Sequence, residues 1–174
     1  MLPEITVRAE SSQDVRAIRE VHVAAFPSPA EASLVEALRN AGDLTVSLVA
    51  EHEERIVGHV AFSPVTLEDN PQNVRGLGLA PMAVVPEHQQ RGIGSRLIRE
   101  GLQRCQALGY AFVVVLGHPE YYPRFGFSKA SQWGFTNEYG ADEAFMISQL
   151  QPASVIENGG GVLYEPAFAS LEEA

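Results

Sequence analysis

Ala83-Val84-Val85-Pro86-Glu87-His88-Gln89-Gln90-Arg91-Gly92-Ile93-Gly94-Ser95-Arg96-Leu97 is the stretch that decides the fold. An apolar run ends at Pro86, a polar turn carries two glycines, and an amphipathic pattern begins at Ile93. The pattern reads as a buried strand, a tight turn and a helix. Glycine lets backbone approach a ligand closely, and the N–H groups at a helix start attract anions. Arg91 and Arg96 add positive charge beside the turn. Pyrophosphate is the ligand chemistry such a turn suits. Two glycines alone also fit an ordinary helix entry, so the turn needs its context.

Working outward, Gly76 to Val85 is apolar on both faces, as a central strand requires. Gln90 to Leu108 reads as a helix, with Ile93, Leu97, Ile98, Leu102, Cys105 and Leu108 on its apolar face and Gly109 as its stop. Tyr110 to Leu116 is a continuous β run, placed parallel to the Gly76 to Val85 strand by a right-handed helical crossover. Upstream, Ile5 to Arg8 is a short strand. Ser11-x-x-Asp14 forms a capping box, followed by a helix with Val15, Ile18, Val21, Ala25 and Phe26 inward and His22 at its boundary. Ser28-Pro29-Ala30-Glu31 opens a second helix that Gly42 ends. Leu44 to Glu51 and Arg55 to Leu67 read as a hairpin around His52-Glu53-Glu54. Downstream come a short helix at Glu120 to Phe125 and strands at Phe127 to Ala130, Ala144 to Leu150 and Gly161 to Tyr164, then a solvated tail at Glu172-Glu173. The order is α/β with a mixed sheet, antiparallel in its first half.

Composition narrows the partners. The chain has 174 residues, and its 12 basic against 22 acidic residues give a net charge of −10. An acidic surface repels phosphate backbones and anionic lipids, so nucleic acid and membrane are not expected partners. One cysteine, Cys105, leaves no disulfide framework and no Cys-rich metal site, and it falls on an apolar helix face. His118-x-Glu120 supplies two ligand types, too few for a metal site. No basic segment followed by an apolar core opens the chain, and the cytoplasm is the expected location.

Neither the Gly-x-x-x-x-Gly-Lys-Ser/Thr loop nor the three-glycine dinucleotide fingerprint is present, since Leu97 stands where the latter needs a small residue. Gln89-x-x-Gly92-x-Gly94 instead resembles the acetyl-CoA loop of the GNAT superfamily of N-acetyltransferases, Gln/Arg-x-x-Gly-x-Gly/Ala. The strand ending Met82-Ala83-Val84-Val85-Pro86 lies before it, a helix and an apolar strand after it. Tyr121-Tyr122-Pro123-Arg124-Phe125-Gly126-Phe127 is similar to the family's aromatic-Tyr-x-x-x-Gly-Phe segment. With Gly117-His118-Pro119-Glu120 in front, that segment resembles the bacterial YhbS-like branch. The resemblance covers roughly residues 5 to 150, and the whole chain reads as one domain, with a C-terminal strand and tail over 151–174.

The resemblance implies the GNAT fold, a central, mostly antiparallel mixed sheet flanked by helices with a splayed parallel strand pair. It implies direct transfer of acetyl from acetyl-CoA to an amine acceptor, without a metal. Backbone N–H groups of Gln89, Gln90, Arg91, Gly92, Ile93, Gly94 and Ser95 would hold the pyrophosphate. Met82, Ala83 and Val84 would align the pantetheine arm as an added strand. Tyr122, four residues before Gly126, would protonate the departing CoA thiolate. The base for the amine stays open among Glu31, His59, His118, Glu120 and water, because Gly76-Leu77-Gly78-Leu79-Ala80-Pro81-Met82 carries no carboxylate where several relatives have one. That gap also keeps in view a catalytically silent CoA-binding domain, and behind it a module for another phosphate ligand. His59, on one strand face with Val57 and Ala61, and Trp133 read as packing residues. Relatives in this superfamily are often dimers, which admits a homodimer here.

Overall fold

A computed structural model describes residues 4–151 and 159–172. Their contacts divide into two compact units. The first holds the chain up to Phe62, Ala80–Gly101 and the segment from Pro166. The second holds Ser63–Leu79 and Leu102–Glu165.

In the first unit, β1 (Thr6–Ala9) pairs antiparallel with β2 (Val46–His52), and β2 with β3 (Arg55–Leu67). The β2–β3 turn places Glu53 and Glu54 both at positive φ, +50° and +63°. Two left-handed residues in a two-residue hairpin match the twist of the flanking strands. Helix α1 (Val15–Ala25) buries Ile18, Val21 and His22, and α2 (Ala30–Asn40) buries Ala32, Leu34, Val35 and Leu38. Ahead of α1 the Ser11 N–H donates to the Asp14 carboxylate at 2.7 Å, the expected capping contact. The Ala30 N–H donates to Ser28 Oγ at 3.3 Å, while Pro29 itself takes the cap position of α2. His22, expected at the helix boundary, is instead fully buried.

The C-terminal segment forms a 3₁₀ turn at Pro166–Phe168 and α4 (Ala169–Glu172), with Phe168 buried and α4 packed on α2. The expected solvated tail is therefore helical as far as Glu172, and Glu173 lies outside the described residues. Phe168 and Leu171 stand three apart, too short a pattern beside Pro166 to mark a helix in the sequence.

Strands β3 and β4 (Gly76–Val84) and helix α3 (Ile93–Ala107) each run from one unit into the other. Helix α3 starts at Ile93, three residues after the sequence expectation, because Gln90 and Gly92 take left-handed φ values of +63° and +83°. In the second unit β4 pairs parallel with β5 (Phe112–Leu116), in register Gly76↔Phe112 to Gly78↔Val114. Strand β5 pairs antiparallel with β8 (Phe145–Gln149) along its whole length, and β8 with β6 (Ser128–Lys129). A further strand, β7 (Phe135–Asn137), unanticipated from sequence, runs parallel to β9 (Gly160–Tyr164), which also pairs with β3. Phe112 to Val115 are buried on both faces, as a central strand demands. Gly76 is small because the Phe112 ring fills the place of its missing side chain, 2.1 Å from an ideal Cβ.

Candidate active site

In the first unit the end of β4 alternates half-buried Met82 and Val84 with buried Ala83 and Val85. The Val85 N–H donates to the Val57 carbonyl at 2.9 Å, anchoring the strand end to β3. A 3₁₀ turn at Pro86–His88 follows. The Gln89 side chain then reaches back and donates to the Val84 carbonyl at 2.9 Å. Gln89 is thus a clamp that fixes the strand end to the turn. Gln90 and Gly92 bend the backbone into the helix, and the Arg96 N–H closes the first turn on the Gly92 carbonyl at 3.1 Å. An ideal Cβ on Gly92 would meet nothing within 4 Å, so its side is open. A helix start leaves N–H dipoles aligned outward, and this one follows a left-handed turn, the arrangement that attracts an anion.

Arg91 is exposed at the turn. Arg96 is committed elsewhere, to Glu100 at 3.1 Å and to the Ile5 carbonyl, so it is not a free charge at the turn. Beside the turn, Arg55 pairs with Glu87 at 3.1 Å and the His52 and His88 rings lie 5.4 Å apart. Burial first, then the neighbouring Arg91, His52 and Arg55, hold His88 below its ordinary pKa.

Tyr122 lies in the second unit, on the 3₁₀ turn Tyr122–Phe125. Gly126 ends that turn at φ +91° with its N–H on the Pro123 carbonyl at 3.1 Å, which accounts for the glycine four residues after the tyrosine. The Tyr122 ring is only 9% exposed and meets Tyr121, Phe125 and Phe127 edge to face, at 5.2, 6.3 and 5.6 Å. Gly117, which the sequence showed only as the first residue of the branch-like segment, is the floor of this cage: an ideal Cβ there would sit 2.3 Å from the ring. Burial, with Tyr121 beside it, pushes the Tyr122 phenol up to about 12, so it is protonated at neutral pH.

The other candidates separate. His118 and Glu120 are exposed on the loop before the turn, and the His118 carbonyl accepts the Tyr121 N–H at 3.1 Å. Trp133, expected to pack, is 41% exposed and donates its indole N–H to Ser128 at 3.1 Å. Cys105 is buried, as expected, and burial raises its thiol to about 12. Glu31, on α2, carries a buried Oε2 without a hydrogen-bond partner.

His59 is fully buried in β3, and its Nδ1 lies 2.8 Å from His22 Nε2. Its own Nε2 lies 2.8 Å from Ser47 Oγ, and Ser47 donates to Glu10, which Arg39 holds with two bonds at 3.0 and 3.1 Å. Nothing in the sequence signals that the two histidines touch, since 37 residues separate them.

The acetyltransferase (GNAT) domain family matches residues 6–130. This chain is a GNAT acetyltransferase. It is 36% identical over 164 residues to the N-acetyltransferase YhbS of Escherichia coli K12, covering 93% of this chain and 97% of that protein. The crystal structure of E. coli YhbS in complex with CoA superposes with a TM-score of 0.88 at 34% identity, covering 96% of this chain and 93% of that one. A GNAT acetyltransferase from Brucella melitensis, solved with acetyl-CoA, matches with a TM-score of 0.77 at 36% identity over 95% and 98% of the two chains. The expected fold stands: a mixed, mostly antiparallel sheet with the parallel β4–β5 pair, flanked by helices. Among the described residues no helix is long and apolar enough to cross a membrane, and no group of three or more His, Cys, Asp or Glu could hold a metal ion.

Proposed function

We propose that this GNAT protein uses acetyl-CoA to acetylate an amine by direct attack. The observation that carries the reading is the turn into α3: left-handed Gln90 and Gly92, an open side at Gly92, and Gln89 fastening the turn to Val84. The CoA and acetyl-CoA complexes of its two structural relatives support the same ligand.

Four roles follow. Backbone N–H groups from Gln89 to Ser95 take the pyrophosphate, with Arg91 as local charge in an otherwise acidic protein. Backbone of Met82 to Val84 aligns the pantetheine arm as a further strand, and an N–H there stabilises the oxyanion that forms when the amine attacks the thioester. Tyr122 gives its proton to the CoA thiolate as the C–S bond breaks. The acceptor is an amine that must arrive neutral or lose a proton, because a lysine-like ammonium has no lone pair to attack with. We place this activity in the cytoplasm, in one catalytic domain spanning 1–174.

Calorimetric titration with acetyl-CoA, followed by thiol release across an amine panel, tests the reading. Binding with amine-dependent thiol release is expected. Binding without release would establish instead a silent CoA-binding domain, the reading that the carboxylate-free β4 keeps open. No binding would remove both. Tyr122→Phe should lower kcat at least ~10-fold and leave the acetyl-CoA Kd nearly unchanged.

A further inference from the structure

Four large apolar side chains are exposed among the described residues, Val23, Leu108, Leu116 and Trp133, and the last two share one sheet face in the second unit. Residues directly opposite in antiparallel strands point the same way. Leu116 stands opposite Phe145, Val114 opposite Ile147, and Ile147 opposite Ser128 on β6. Trp133 donates its indole N–H to Ser128 Oγ at 3.1 Å, which places it on this face too. Here Phe112 is fully buried beside the Phe135 ring, 5.8 Å away, whereas Leu116 is 38% exposed. Strand β4 pairs with β5 only as far as Val114, so Leu116 extends beyond it. The next residue, Gly117, alternates to the opposite side and lies against the Tyr122 ring. Direct attack is served by that division: the amine forms its C–N bond from one side of the thioester, and the acid protonates sulfur from the other.

The loop before β8 adds charge to this rim. Lys129 holds Asp142 at 3.0 Å and Glu143 at 2.8 Å, and Asp142 also accepts the Ser131 hydroxyl, which ties the loop to the turn carrying Trp133. The Gly117 N–H donates to the Ala144 carbonyl at 2.9 Å, which ties the same loop to the residue beside Leu116. Two carboxylates against one ammonium leave surplus negative charge on an exposed loop. The indole has spent its only donor on Ser128, so it offers ring surface outward, and ring surface takes apolar groups and cations. We infer that Trp133 and Leu116 form the specificity surface for the acceptor and select an amine that carries an aromatic group over one that carries only polar groups. The inference rests on the amine-acetylation reading. The aromatic group packs on the indole and the leucine, and the surplus at Asp142 and Glu143 draws the ammonium toward the end of β5.

Phenethylamine and ethanolamine, both basic primary amines but opposite in polarity, provide the test at saturating acetyl-CoA. Wild type should show kcat/KM at least ~10-fold higher for phenethylamine. Trp133→Ala should lower that ratio at least ~10-fold through the phenethylamine KM, and Trp133→Phe should keep most of it. Both amines are measured on one preparation, so the ratio does not depend on the folded fraction. Leu116→Ser, on a different strand, should lower it as well. Equal kcat/KM for the two amines in wild type, or an equal change in both on substitution, overturns the subsite. Trp133 is the chain's only tryptophan, which gives a readout apart from turnover. With CoA bound, phenethylamine should shift its emission saturably to the blue, and ethanolamine should not. Thiol release without that response overturns the subsite and leaves the acetylation reading standing. The response without thiol release from any amine overturns the acetylation reading and, with it, the assignment to an acceptor. Sedimentation excludes another occupant: a wild-type dimer that Trp133→Ala turns into a monomer gives this face to a second copy and overturns the proposal.

Discussion

Two glycines show how single residues hold this molecule. Gly101 lies inside α3, where alanine is usually better by ~1 kcal/mol. Here an ideal Cβ would stand 2.3 Å from the Phe62 ring, so Gly101→Ala should destabilise by ~1–3 kcal/mol, read as a lower midpoint in denaturant. A neutral or stabilising result would show that Phe62 can move aside. At Gly117 the same contact falls on Tyr122. Gly117→Ala should lower kcat by ~10-fold with acetyl-CoA binding intact, because it displaces the proposed acid without touching the turn at α3. Gly101 gave no signal in the sequence and Gly117 only its place in a family-like segment, since the reason for each is a ring brought in from far along the chain or across a loop. The Tyr122–Gly126 pair was legible because its reason is local: a four-residue turn needs a left-handed residue to close it.

At the scale of elements, the turn between β4 and α3 could be read in advance because strand, turn and helix follow one another in sequence. The helix start was read three residues early, since polarity marked Gln90 as helical while its backbone is left-handed. Gly92 gives this element its own test. With nothing within 4 Å of its Cβ position, Gly92→Val has room in the folded protein, though the positive φ costs ~1–2 kcal/mol. Titration should find acetyl-CoA binding abolished while the thermal transition persists. Retained binding would place the pyrophosphate elsewhere. Strand β7 escaped notice because its three residues pair with β9, more than twenty positions away, and carry no alternation of their own. Helix α4 is missed for a similar reason: it has four residues, and its anchor Phe168 lies in the preceding turn.

For the whole molecule, the buried imidazoles set the response to acid. An unfolded histidine takes up a proton near pH 6.5, whereas burial lowers His22 to about 4. Between those values the unfolded chain binds more protons, so stability is full above pH 6.5 and is lost as pH falls toward 4. His22 alone accounts for on the order of 3 kcal/mol, and buried His59 acts in the same direction. Asp14, held at about 2 by Arg8, stays ionised through that window and contributes its own loss only at lower pH. Urea denaturation at pH 7, 6 and 5 should give falling stabilities, and a flat series would mean the rings are not buried neutral in the native state. Charge composition had indicated what the surface avoids, but it could not reveal this liability. Burial is decided by packing, and His22 and His59 each read as unremarkable alone.

Cys105 has a practical consequence for any such measurement. It is the chain's sole sulfhydryl, fully enclosed, and almost entirely un-ionised at assay pH. Only the thiolate reacts with chromogenic disulfide reagents. The enzyme itself should therefore be silent in a continuous colorimetric assay, with every equivalent of colour traceable to released coenzyme. A cysteine introduced at an exposed position would likewise be the only reactive handle, ready for a spectroscopic probe without first removing the native one.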